Sequence, residues 1–250
     1  MFTSVAFARA PPYGNMPDMH WLTADEWSVL ALSARVAAMC VLVLAVPGIA
    51  LGWLLARREF RGKAILDALL HAPLVMPPVV TGYLLLMLFG RRGVVGAWLY
   101  NHFGITFAFT FKAAVIASAC MALPLMVRAV RLSVELVDRK LEDAARTLGA
   151  SPLRTFVTIT LPLAFPGVLT GLILSFARSL GEFGATIVFA GNISGETRTL
   201  PLAIYTSLQV PGAEDAAMRL VVISLILALG ALIASEWFAR RMRGFRETGP

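Results

Sequence analysis

Five apolar runs, each long enough to cross a bilayer, leave this chain few ways to fold. A helix needs roughly 20 residues to cross about 30 Å of hydrocarbon, and runs of that size lie near 29–56, 66–89, 109–130, 158–190 and 216–239. Mean hydropathy of +0.76 with only 15% charged residues is far from the soluble average. The expected fold class is therefore an all-α membrane protein with five or six transmembrane helices. Net charge +7 does not mark a nucleic-acid surface, because the cations cluster at the ends of apolar runs instead of on one amphipathic face. No nucleic-acid partner is expected; membrane lipid is.

Those cations set the orientation, since basic residues flanking spans stay on the cytoplasmic side. Arg57, Arg58, Arg61 and Lys63 fall in one loop, and Arg128, Arg131, Arg139, Lys140, Arg146 and Arg154 in another. Arg240, Arg241, Arg243 and Arg246 follow the last run. The opposite side holds Arg9, Arg91, Arg92, Arg178 and Arg198. The N-terminus is thus expected outside and the C-terminus in the cytoplasm. Thr23 to Glu26 reads as a capping box, with Trp21 and Trp27 at interfacial depth. Residues 1–20 read as a flexible extension without the apolar core of a cleavable signal, and Met19 would serve equally well as a first residue. Residues 21–240 read as one transmembrane domain with a cytoplasmic loop at 135–157, and 241–250 as a basic cytoplasmic tail.

Prolines interrupt the spans at Pro47, Pro73, Pro77, Pro78, Pro124, Pro162 and Pro166. A single proline reads as a packed kink, but the HAPLVMPPVVTGY cluster around Pro77 and Pro78 predicts a broken helix lining a path. Arg178 and Glu182 are ionisable groups inside the fourth run, and two readings stay open for them. They serve an anion pathway, or they form an i,i+4 pair that neutralises itself. His20, His71 and His102 lack metal-ligand spacing, so no metal or other cofactor is expected. Cys40 and Cys120 read as small buried residues, and Lys112 and Arg219 as cations snorkelling from span ends. Arg91 and Arg92 stand outside against the charge rule, where they suit the mouth of an anion path or a binding-protein contact.

The segment EDAARTLGASPLRTFVTITLP, from Glu142 to Pro162, is the polar exception. Asp138 can cap a helix that carries Leu141, Ala144, Ala145 and Leu148 on one face and Arg139, Glu142, Asp143 and Arg146 on the other. Glu142 and Arg146 have i,i+4 spacing in the favourable order. Gly149 can supply a left-handed stop, and Ser151-Pro152 an N-cap and first residue for a second helix. Such a helix either docks on another protein or rests on lipid headgroups.

The spacing favours docking. Asp143-Ala144-Ala145, then Gly149, Ile159 and Leu161-Pro162, resembles the EAA-x3-G-x9-I-x-LP signature of ABC-importer permeases, with six positions matching and Asp143 where the pattern has Glu. The resemblance implies a type I ABC importer permease fold. It also implies a coupling helix docked on a separate ATP-binding subunit, with Leu141, Glu142, Asp143, Ala144, Ala145, Arg146, Leu148, Gly149, Ile159, Leu161 and Pro162 at the coupling site. The chain has no G-x-x-x-x-G-K-[ST] loop to cradle phosphates, so it reads as a transport subunit and not an enzyme. The stretches HAPLVMPPVVTGYLLLMLFGRRG, FGITFAF, PLMVRAVRL and ARSLGEFGATIVFAGNISGETRTLP resemble the molybdate-transport branch, with the sulfate/thiosulfate branch as the alternative. That resemblance implies import of molybdate or tungstate across a bacterial inner membrane. It further implies an extracytoplasmic oxyanion-binding protein, a second copy of the chain, and a path near Arg178, Glu182, Pro77 and Pro78. A secondary transporter should show paired broken segments with buried coupling carboxylates, and a membrane enzyme convergent catalytic groups. The sequence offers neither.

Overall fold

The computed structural model describes residues 22–247. The expected extension at 1–20, Trp21 and the last residues of the basic tail, 248–250, lie outside the described residues. Everything regular among the described residues is helical. Four helices are long and apolar enough to cross a bilayer, and a sharply bent pair makes up to five.

Helix α1 (Ala24–Arg57) starts on the expected capping box. The Glu26 N–H donates to Thr23 Oγ1 at 3.2 Å, and the Thr23 N–H donates to Glu26 Oε2 at 2.7 Å. The second run is broken as expected. Helices α2 (Lys63–Val75) and α3 (Pro78–Phe89) meet at 116°. Pro77 forces Met76 out of the helical region, to ψ 144°, and Pro78 then suits the first position of α3. Helix α4 (Val94–Phe103) follows beside α3.

Helix α5 (Phe111–Glu135) is the most buried span and the axis of the fold. Glycines spaced by four on two other helices let backbones approach it. Gly48 and Gly52 of α1 face Met126 and Val130, and Gly167 and Gly171 of α8 (Leu161–Leu180) face Ser133 and Met126. The Ser133 hydroxyl also donates to the Ala164 carbonyl at 3.1 Å. Alanine and valine fill the spaces between, in one cluster with Val36, Ala117 and Met121 and another with Val130, Val134 and Val168.

Between α5 and α8 lie α6 (Arg139–Thr147) and α7 (Pro152–Thr155), and a π-helical turn at Phe156–Thr160 joins α7 to α8. Pro162 explains that turn: its ring crowds the carbonyl four residues back and it has no N–H to bond there. The helix widens instead, and the Leu161 N–H donates to the Phe156 carbonyl five residues back. The fourth run, expected at 158–190, is not one helix. It ends at Leu180, and Gly181–Phe183 separates it from α9 (Gly184–Phe189). Apolar composition carried the expectation across a break that Gly181 and Gly184 permit.

Helices α10 (Leu200–Ser207) and α11 (Glu214–Glu247) complete the fold, and α11 remains helical through residues read from sequence as tail. Arg219 does not snorkel alone. Its Nε and Nη2 donate to Glu26 Oε1 at 3.1 and 2.9 Å, tying α11 to the start of α1. Lys112 stands over the Phe107 ring, and Arg91 donates to the Tyr100 hydroxyl at 2.6 Å.

Candidate functional site

Helix α6 is capped at both ends. Asp138 accepts from the Lys140 N–H at 2.9 Å. At the other end Gly149 takes φ +85°, the Gly149 N–H donates to the Arg146 carbonyl at 2.9 Å, and the Ala150 N–H donates to the Ala145 carbonyl at 3.0 Å. That pair of bonds is a Schellman stop. Ser151 then caps the next helix by accepting from the Arg154 N–H, with Pro152 in its first turn. The local signals between 138 and 152 are all realised.

The two faces of α6 are the ones the spacing gave, and the structure adds which of them the chain holds. Leu148 is 89% exposed and Leu141 48% exposed, and Ala144 is exposed as well. The apolar face thus points away from the chain that carries it. Glu142, expected on the polar face with Arg146, is the one buried residue of α6 among the described residues. Its Oε1 accepts from Arg57 Nε at 3.0 Å and from the Thr160 hydroxyl at 2.7 Å. Arg57 Nη2 also lies 3.0 Å from that oxygen and donates to the Val137 carbonyl at 2.9 Å. Arg146 stays 3.7 Å from Glu142 Oε2 and lies closer to Asp143, at 3.3 Å. Asp143, at the first position of the sequence signature, is exposed. Arg57 and Thr160 were not read as site residues, because neither belongs to the sequence signature and Arg57 lies 85 positions from Glu142. Ile159, Leu161 and Pro162 lie at the π turn and its exit, above the node. A cavity of about 390 Å³ opens beside it, lined by Arg57, Arg58, Arg139 and Arg146 among others.

Farther along the spans, the two breaks meet. Pro78, at the start of α3, packs on Gly184 at the start of α9; a Cβ at Gly184 would lie 2.7 Å from Pro78 Cβ. One turn on, a Cβ at Gly82 would lie 2.6 Å from the Ala185 carbonyl oxygen. Glu182, buried between α8 and α9, accepts the Ala185 N–H at 2.8 Å and pairs with Arg178 at 2.7 Å. The Thr81 and Thr186 hydroxyls on α3 and α9 are buried without a hydrogen-bond partner among the described residues. Pro77, Pro78, Arg178 and Glu182, grouped in the sequence reading as a path, lie at or beside these two breaks. The close-packing Gly82 and Gly184 were the missed signal.

Comparison with known proteins gives this geometry a family. Residues 48–244 match the model described as "Binding-protein-dependent transport system inner membrane component". The chain is 58% identical over 222 residues to the molybdenum transport system permease protein ModB of Escherichia coli (strain K12), covering 89% of this chain and 97% of that protein. It is 55% identical over 218 residues to ModB of Haemophilus influenzae, covering 87% and 95%. The sulfate transport system permease protein CysT of E. coli (strain K12) is 35% identical over 242 residues, covering 92% and 86%. In fold the chain is similar to a bacterial alginate ABC transporter solved with a pentasaccharide-bound periplasmic protein, at TM-score 0.70 and 16% identity over 88% of this chain and 80% of that one. It is also similar to the MetNI methionine ABC transporter, at TM-score 0.58 and 17% identity over 86% and 93%. The fold is that of a type I ABC importer permease, and its relatives are named as transport subunits, not enzymes. With the family model covering most of its length and a permease fold packed around α5, the chain belongs to the multi-pass, binding-protein-dependent transport system inner-membrane components of bacteria.

Proposed function

We propose that this chain is the permease subunit of an ATP-driven importer of molybdate or its near-isostere tungstate. Two copies form the path, an extracytoplasmic binding protein delivers the oxyanion, and α6 docks on a separate cytoplasmic ATPase. Residues 21–240 act as one permease domain with the coupling loop at 135–157, the N-terminus outside and the C-terminus in the cytoplasm. The observation that carries the coupling role is α6 itself: a helix stopped at both ends, with Leu141 and Leu148 turned outward. A helix resting on lipid alone would not need a buried ionic anchor to the spans.

The substrate assignment leans on likeness. Relatives named for molybdenum transport reach 58% and 55% identity, against 35% for the sulfate permease. The chemistry at the two breaks suits a tetrahedral dianion, because the Arg178 guanidinium can hold two oxyanion oxygens while Glu182 keeps it from holding them too tightly. The buried Thr81 and Thr186 hydroxyls offer neutral donors on the two helices that follow the breaks.

The test is ATP-dependent uptake in proteoliposomes containing the chain with its ATPase and binding protein. Molybdate uptake that persists under an excess of sulfate is expected. Uptake of sulfate with molybdate as a weak competitor would move the chain to the sulfate branch, and uptake without ATP would overturn the importer assignment.

A further inference from the structure

The Arg57–Glu142–Thr160 node has a role that the docking surface alone does not supply. A helix that pushes or pulls on transmembrane spans must be fastened to them, and most helices are fastened by their apolar face. Helix α6 cannot use that fastening, since Leu141 and Leu148 face outward. What it buries is a carboxylate. One oxygen of that carboxylate receives hydrogen bonds from the last residue of α1 and from the π turn that leads into α8. Arg57 adds a second bond to the Val137 carbonyl, in the turn between α5 and α6. Four segments therefore converge on Arg57 and Glu142, whose side chains are only 7% and 5% exposed. Charge-assisted bonds of this kind are directional, and a planar guanidinium held at two sites resists rotation as well as displacement.

We propose that Arg57 is a positioning residue for energy coupling: through Glu142, and with Thr160, it locks α6 to α1 and α8, so that motion of the docked helix is delivered to the spans. The inference rests on the docking role of α6 proposed above. Arg57 neither touches the ATPase-facing apolar side chains nor lies at the two breaks. Its contribution is stiffness. The α5–α6 and α6–α7 turns join α6 to its neighbours covalently, but turns flex, whereas the node ties α6 to α1, with which it has no such connection.

The experiment uses the assembled transporter with its ATPase and binding protein in proteoliposomes, and reads molybdate taken up per ATP hydrolysed alongside co-purification of the ATPase. Arg57→Gln should leave the ATPase bound and lower that ratio about tenfold, the scale of losing a hydrogen bond to a charged group. Arg57→Lys, which keeps the charge but not the fork, should recover part of the ratio, whereas a residue needed only for folding would change yield and leave the ratio alone. Should Arg57→Gln fail to assemble, Thr160→Val carries the test, since it removes one hydroxyl and should lower the ratio less but measurably. A wild-type ratio in assembled Arg57→Gln, or in Thr160→Val if the first does not assemble, overturns the proposal. Leu148→Asp separates this from the docking role: it should release the ATPase, and retention of the ATPase by that variant would overturn the docking assignment itself.

Discussion

The Arg178 guanidinium and the Glu182 carboxylate meet 2.7 Å apart where α8 ends, and the other oxygen of Glu182 takes the Ala185 N–H at the start of α9. One carboxylate thus pairs the cation and caps the next helix, while Arg178 remains about a quarter exposed and Glu182 is buried. On the proposed pathway role, Arg178→Gln is expected to assemble, because its amide can still donate to Glu182, and to lower oxyanion uptake per transporter about tenfold. Glu182→Ala should instead cut the yield of folded protein, because it leaves the buried Ala185 N–H without its acceptor, at a cost of about 1–3 kcal/mol. Uptake normalised to complex measured by size-exclusion chromatography distinguishes the two; normal uptake by well-assembled Arg178→Gln would end the pathway role.

Gly149 holds φ +85° with open space where a side chain would stand, so a side chain there is opposed by the backbone alone. Gly149→Val should cost roughly 1–3 kcal/mol locally and undo the Schellman stop. Substrate-stimulated ATP hydrolysis is expected to collapse in the reconstituted complex. Gly149→Asn, which tolerates the left-handed region, should retain much of it; full stimulation in the valine variant would contradict the coupling role of the α6 C-terminus.

Orientation can be read with cysteines at Ser151 and Ser194, both exposed and on opposite sides by the basic-residue count. Native Cys40 is fully buried, whereas Cys120, expected to be buried too, is half-buried in α5 and is replaced by alanine to keep the background low. A membrane-impermeant thiol reagent applied to intact cells should label Ser194→Cys and spare Ser151→Cys. The reverse pattern would invert the assigned topology.

The α3–α9 contact predicts a steric result. A Cβ at Gly82 meets Ala185 backbone atoms at 2.6 and 2.8 Å, which cannot rotate away as a side chain could. Gly82→Val should destabilise by roughly 1–3 kcal/mol and lower the melting temperature of the purified complex by several degrees. Gly230→Ala in α11, with open space around it, should leave the melting temperature unchanged or slightly higher. Equal effects from the two would contradict the close approach of α3 to α9.

Short-range chemistry was legible in the sequence. The capping box at Thr23, the break at Pro77-Pro78, the Asp138 cap and the stop at Gly149 are each specified within a few neighbouring residues, so reading the neighbours sufficed. Five apolar runs likewise determined a membrane protein, because hydrocarbon leaves a single chain of such runs little but helices. Apolarity does not say which side of a span faces protein and which faces lipid, since both are oily. The central place of α5, set by Gly48, Gly52, Gly167 and Gly171, therefore emerged only when the spans were packed. Glu142 shows the same limit most sharply. By periodicity it belongs on the polar face of α6, and burying it alone would be prohibitive. Arg57, 85 positions away, and Thr160 supply the hydrogen bonds that make burial tolerable. Local sequence determined the helix and its ends, and the tertiary meeting of α1, α6 and the π turn decided which face would be held and which left free to dock.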